Sequence, residues 1–467
     1  MFIFPLIFII SFCFALKEIY NGNTSGVLIF MIFGLSMYTT AMSVMFLYGL
    51  KDIIPTLQSF KELIILLVLI LNLFGLRKIP RFHLLDYLIL AFFAYLIIYA
   101  LLPIGGQSFF SRLSALKSMS FYIVVYFAGR FFDLKKIYIN KYFNFFVLLS
   151  IGTAIVLGIE VFFRSPLQFH SGYFDYAYYF FNLEATGPYG LAATFSSASG
   201  YIRFASFFTN PLEHAVAAII SLSVILALYT SDDNKFRINS IGLLGLLATA
   251  MSVIFALSRA PLASYCLVIY MYALVTKRKI ITNMVHVIFA VGVIYVTYLF
   301  AQFENNHTGL VAVLLNTIDF SDPSSVGHLV QWAQGVLSIS QHPLGLGLGS
   351  SGRVAASVSE NIGGENQFII VGVQAGVIAL LLDFAVFIMF IRISYKWLNL
   401  LKGKERKLCL AVFLIKVGFF ISTLTSEVES STYLSYMNWF LSGLLIAAIM
   451  QIKAPQPLPA YDYRETN

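Results

Sequence analysis

The sequence predicts an all-α polytopic membrane protein, and three observations carry that expectation. Of 467 residues, 59% are hydrophobic and 11% charged, whereas a water-facing surface draws about 25% charged residues. Thirteen apolar stretches follow one another along the chain, and a helix that crosses the hydrocarbon core needs about 20 such residues. The connections between them alternate between rich and poor in Lys and Arg, the pattern that fixes orientation in a bilayer. One transmembrane domain over residues 1–467, with two long connections, accounts for the whole length.

The stretches run at about 2–16, 26–50, 62–76, 84–103, 117–131, 142–163, 211–230, 238–257, 260–276, 281–301, 367–391, 408–425 and 432–452, so that 12–13 transmembrane helices are expected. The first, third and fifth are short of a full span. Residues 1–16 have the apolar core of a signal peptide. No base precedes it and no small-residue cleavage site follows, so its retention as the first membrane segment is expected. Cys13, Cys266 and Cys409 lie in apolar stretches without metal-ligand spacing or a disulfide framework, and read as packing residues.

Four connections are basic: Arg77-Lys78-Arg81, Lys135-Lys136-Lys141, Lys277-Arg278-Lys279, and the run from Arg392 to Lys407. They fall on one side, taken as cytoplasmic, with the tail from Lys453. The other side receives residues 104–116, 164–210, 258–260, 302–366 and 426–431, the last carrying Glu427 and Glu429 and no base. The net charge of +8 is thereby a topology signal. No basic run is interleaved with aromatics, and a nucleic-acid partner is not expected.

Loops beyond about 15 residues are uncommon unless functional, and the two long ones, 164–210 and 302–366, share the outer side. The first contains HSGYFDYAYYFFNLEATGPYG, a surface suited to stacking on sugar rings or to lying among lipid headgroups. The second holds Val326, Leu329, Val330, Ala333, Val336 and Leu337 at helical spacing, followed by HPLGLGLGSSG. That glycine run lacks the Lys-Ser/Thr ending and preceding strand of a phosphate loop, and tight turning of backbone near a buried site is expected instead.

Charge at membrane depth is costly and marks function by default. Arg259, in FALSRAPLAS, sits at the outer junction of two apolar segments. Its fork of donors matches phosphate; the plainer account is an interfacial arginine whose head snorkels to the headgroups. Arg203 and Arg164 are the two arginines of the first outer loop and Arg353 belongs to the second. Arg203, Arg259 and Arg353 together could hold a pyrophosphate, against the plainer account of solvated loop charges. The outer candidates for acid–base work are Glu365, His328, Glu213, His214, Glu304 and His342. Glu365 stands where a helix begins and would also serve as a favourable end charge, while His214 has a packing role as its alternative. Glu304, His307 and His328 lack metal-site spacing, so no metal is expected. Lys416 lies mid-segment, with Glu160 and Asp383 as candidate ion-pair mates.

Three stretches together resemble the O-antigen ligase and polymerase superfamily of bacterial membrane glycosyltransferases. RFASFFTNPLEHA is similar to its Arg followed by Phe-x-Asn-Pro entering a helix, and ALSRAPLA to its Ser-Arg-small motif. HLVQWAQGVLSISQHPLGLGLG followed by ENQFIIVGVQAGVIALLL resembles its W…P-x-G-x-G segment and later Asn-aromatic helix, and NWFLSGLLIA its closing segment. Coverage spans about residues 60–450. The resemblance implies a GT-C-like membrane glycosyltransferase with two long periplasmic loops in the bacterial inner membrane. It implies an undecaprenyl-pyrophosphate-linked oligosaccharide as substrate, a chain-length regulator protein as a further partner, and neither metal nor nucleotide. By position, Arg203 and Arg259 would contact the pyrophosphate and Glu365, just before Asn366, the acceptor hydroxyl. Arg353, Asn366, His328, Arg164 and His214 complete the expected substrate-binding set.

Ligases carry a His where this chain has Glu365, which favours the polymerase branch that joins repeat units. Arg353 and Gly364 also fit an Arg-x10-Gly pattern described for polymerase loops, whereas neither Arg203 nor Arg164 does. A glycan ligase, or a lipid-linked oligosaccharide flippase, is the alternative; a flippase should show repeated halves, and none is visible.

Overall fold

A computed structural model describes residues 1–76, 80–184, 186–197, 200–301, 323–352 and 364–453. The helices are α1 (Ile3–Tyr20), α2 (Thr24–Leu47), α3 (Ile54–Phe74), α4 (Leu84–Leu101), α5 (Phe109–Arg130), α6 (Ile139–Phe163), α7 (Tyr173–Phe181) and α8 (Pro211–Leu228). After them come α9 (Ser240–Phe255), α10 (Arg259–Val275), α11 (Lys279–Ala301), α12 (Pro323–Gln341), α13 (Gln367–Leu398), α14 (Gly403–Thr425) and α15 (Thr432–Lys453). Among the described residues nine helices are long and apolar enough to cross a membrane, with three shorter apolar ones. The chain is an all-α polytopic membrane protein.

Each of the thirteen expected stretches coincides with a helix, and the three short ones prove longer than their apolar cores. α3 begins at Ile54 with Pro55 in its first turn, where a missing N–H costs nothing. Its polar first half is packed: the Lys61 ammonium donates to the Tyr38 hydroxyl at 3.1 Å and lies over that ring. α5 begins at Ser108, whose side chain caps it by accepting from the Ser111 amide.

α8, α14 and α15 form the centre, with nearly every side chain of α8 and α15 buried. α6 and α9 are peripheral, and expose Leu148, Ile155, Ile159 and Phe162 on one and Leu244, Leu247, Met251 and Ile254 on the other. Apolar rows at helical spacing that face outward are what lipid contact requires, since all backbone groups are satisfied within each helix. Hydrophobic association is weak in lipid, so close packing relies on small residues. Gly129 of α5 and Gly443 of α15 meet there: a methyl on Gly443 would strike the Tyr126 carbonyl and one on Gly129 the Phe440 carbonyl. At the end of the bundle to which α5 leads, Arg130 holds Asp86 through its Nε at 3.1 Å with both side chains buried.

α13 is broken at Gly376 (φ 82°, ψ −179°). The glycine run lies in the break. Leu346 N–H donates to the Val373 carbonyl at 2.8 Å, Gly347 N–H to that of Gln374 at 3.0 Å, and Val377 N–H to that of Pro343 at 2.9 Å. Gln374 itself grips the run, accepting from Gly349 N–H at 2.8 Å and donating to the Ser351 carbonyl at 3.1 Å. The expected tight turning therefore serves to satisfy backbone groups that an interrupted helix leaves open.

Candidate functional site

The end of the bundle where α8, α10 and α13 begin holds a cavity of about 610 Å³. That lies within the usual 300–1,000 Å³ of small-ligand sites, by order of magnitude. Its wall is assembled from six places in the chain: Thr194, Ser196, Ser197 and Arg203; Leu212 and Val216; Ser258 to Pro261; Gly327, His328 and Gln331; Glu365; and Thr425 with Ser426.

Arg203 ends a short turn of extended backbone. Its N–H donates to the Phe195 carbonyl at 2.9 Å, and Ser196 pairs antiparallel with Ile202. The following residues are pinned from several sides. Ser206 N–H donates to Glu160 Oε2 at 2.8 Å, Gln168 Nε2 to the carbonyls of Ser206 and Phe208 at 2.8 and 2.6 Å, and Thr40 Oγ1 to that of Phe207 at 2.8 Å. Asn210 caps α8 by accepting from Glu213 N–H at 2.9 Å. Glu213 reaches across to accept from Ser431 Oγ at 2.7 Å, which ties the start of α8 to the start of α15.

Burial first, and the neighbouring Arg259 guanidinium second, pull Arg203 below the ordinary arginine value. Two arginines that repel each other across a cavity wall form a site of high positive potential, suited to a multiply charged anion. Arg203 Nε is buried with no hydrogen-bond partner among the described residues. Arg259 is the first residue of α10, and Ser258 before it makes no side-chain cap. The first-turn amides of α10 and its dipole therefore add to the anion-binding character of that wall. Glu365 and His328 lie on the same cavity, His328 with a buried Nδ1 that has no partner among the described residues.

Of the residues expected from sequence, Arg203, Arg259, His328 and Glu365 meet on this cavity. Asn366 does not line it. Its side chain caps α13, accepting from the amides of Phe368 and Ile369 at 3.0 and 3.2 Å. His214 is fully buried behind the wall, with Nδ1 3.1 Å from the Phe204 carbonyl, and so steadies the residue next to Arg203. Arg164 is exposed, ends α6 in a left-handed conformation (φ 50°), and stands outside the lining. Arg353, Glu304 and His307 fall outside the described residues. Glu160 is no mate of Lys416: its carboxylate accepts from Leu167 N–H at 2.7 Å and from Ser206 N–H. Asp383 does share an enclosure with Lys416, together with Glu429.

Gln331 and Ser258 escape a reading that looks for charge. Gln331 had a signal nonetheless: with His328 three residues before it, it forms the polar complement of the apolar stripe on α12. No protein-family model matches the chain, and no curated protein matches it.

Proposed function

We propose that the chain is a membrane glycosyltransferase that polymerises a surface polysaccharide by joining oligosaccharide repeat units carried on a lipid pyrophosphate, of the undecaprenyl type, at the periplasmic face of a bacterial inner membrane. The observation that carries this reading is the meeting of Arg203, Arg259 and Glu365 on one cavity at the end of the bundle. An acceptor hydroxyl attacks the anomeric carbon, the bond from that carbon to the pyrophosphate oxygen breaks, and the hydroxyl proton passes to the Glu365 carboxylate. The two arginines and the α10 amides stabilise the charge that grows on the departing pyrophosphate. His328 and Gln331, in the same lining, would hydrogen-bond glycan hydroxyls. Pyrophosphate is already a good leaving group, so this chemistry asks for charge stabilisation and one base. A chain-length regulator would act on the same polymer as a partner in the membrane.

A ligase would use the same donor chemistry with a different acceptor, so the product separates the two. Deleting the gene in its host and resolving surface glycan by length should collapse the ladder to core plus one repeat unit. Loss of every repeat while long polymer persists on its carrier would mean a ligase. An unchanged profile would overturn both and reopen a transport role.

A further inference from the structure

Beneath the large cavity, between α13, α14 and the turn into α15, lies a second enclosure of about 20 Å³, walled in part by Gln367, Asp383, Lys416, Thr423, Glu429 and Trp439. A space of about 10–15 Å³ admits one water. Lys416 is 1% exposed, and its ammonium lies over the rings of Phe390 and Trp439, 4.4 and 4.6 Å from their centroids. Among the described residues neither an ion pair nor a hydrogen bond reaches it. Glu429 accepts from Trp439 Nε1 at 2.8 Å and Asn438 Nδ2 at 3.2 Å, and burial lifts its carboxyl above the usual carboxylate range. Asp383 faces it from α13, and α5 brings Tyr122, stacked on Trp439 at 4.4 Å and close to both carboxylates.

One ammonium and two carboxylates, all ionised, leave a net charge of −1 in a medium that tolerates none well. The ammonium repels a metal cation from the same space. We infer that the enclosure formed by Lys416, Asp383 and Glu429 is a proton-binding site, its ligand a single proton exchanged through one water with the large cavity above. Gln367 and Thr423 wall it two residues from Glu365 and Thr425, which line that cavity. In the step a hydronium gives its proton to a carboxylate oxygen, an O–H bond forms, and water returns upward. The site stands apart from the glycan-transfer reading and is tested without turnover.

Infrared spectra of the full chain in lipid nanodiscs, recorded across pH, read protonated carboxyl groups directly. At neutral pH the difference between the native protein and Asp383→Asn or Glu429→Gln should show a carboxylic-acid carbonyl band belonging to the native protein. Both replacements keep side-chain shape, and whichever folds suffices. Lys416→Met should move the band's titration midpoint upward by about one pH unit or more, because the balancing ammonium is gone. Absence of the band from the difference of a folded variant, an unmoved midpoint in Lys416→Met, or loss of the native band on adding sodium at fixed pH would each overturn the proposal.

Discussion

Arg259 contributes almost nothing to helix packing, since its side chain is exposed on the wall of the large cavity. Arg259→Ala should therefore leave insertion intact and lower turnover about 100–1,000-fold, the usual loss when one donor to a developing anion is removed. Arg259→Lys should recover only part of it, because a point charge does not reproduce the fork. Full activity of the Ala variant in a lipid-linked oligosaccharide assay would remove the pyrophosphate role. Glu365→Gln separates base from helix-end charge: turnover should fall far more than carrier binding, and equal losses would mean an end charge only. Arg203, Arg259, His328 and Glu365, which meet on one cavity, could be singled out in the sequence because charge is scarce in this chain, at 11% of residues. Asn366 and His214 stand off the cavity, one capping α13 and the other holding the Phe204 carbonyl, and such roles depend on where the backbone turns, which residue type alone does not disclose.

The connection between α6 and α8 is held in part by the Glu160 carboxylate, which takes amides from both ends of it, at Leu167 and Ser206. Glu160→Ala would strand two N–H groups, each costing about 1–3 kcal/mol if left unsatisfied. Limited proteolysis should then cut between residues 165 and 206 faster than in the native protein, and Glu160→Gln, which keeps one acceptor, should fall between. Equal cleavage rates would show that the connection is held elsewhere. In α13 the left-handed Gly376 admits no side chain, since a methyl would meet the Pro343 carbonyl at 2.5 Å. Gly376→Ala should lower the thermal midpoint, at a cost of about 1–3 kcal/mol of backbone strain alone. Gly106→Ala, with nothing within 4 Å of its added methyl, should leave it unchanged. Helix positions were legible from hydropathy, but this break was not: Gly376 lies in an apolar run, and its reason is a partner segment some thirty residues earlier in the chain.

At the scale of the whole molecule, the alternation of basic connections makes a claim that labelling can check. In a variant stripped of Cys13, Cys266 and Cys409, a membrane-impermeant thiol reagent added to intact cells should modify Tyr201→Cys beside the large cavity. It should spare Leu400→Cys, in the basic connection between α13 and α14. The reverse pattern would invert the topology and with it the side on which the proposed reaction occurs. The topology expectation could be drawn from sequence because Lys and Arg counts need no three-dimensional knowledge. Convergence was not, since six separate places in the chain supply the cavity wall and only packing of α8, α10, α12, α13 and α14 brings them together.

The glycine run seated in the gap of α13 sets a rule for how this sequence can drift. Its three backbone pairs tie Pro343, Leu346 and Gly347 to fixed partners, so the number of residues from 343 to 347 is constrained while the identity of Leu344, 66% exposed, is not. Inserting one residue there would put every carbonyl one step out of register and reopen the helix to lipid. Replacing Leu344 with another apolar residue should pass unnoticed. Across natural variants of this chain, gaps should be absent from that stretch even where the letters around it change freely.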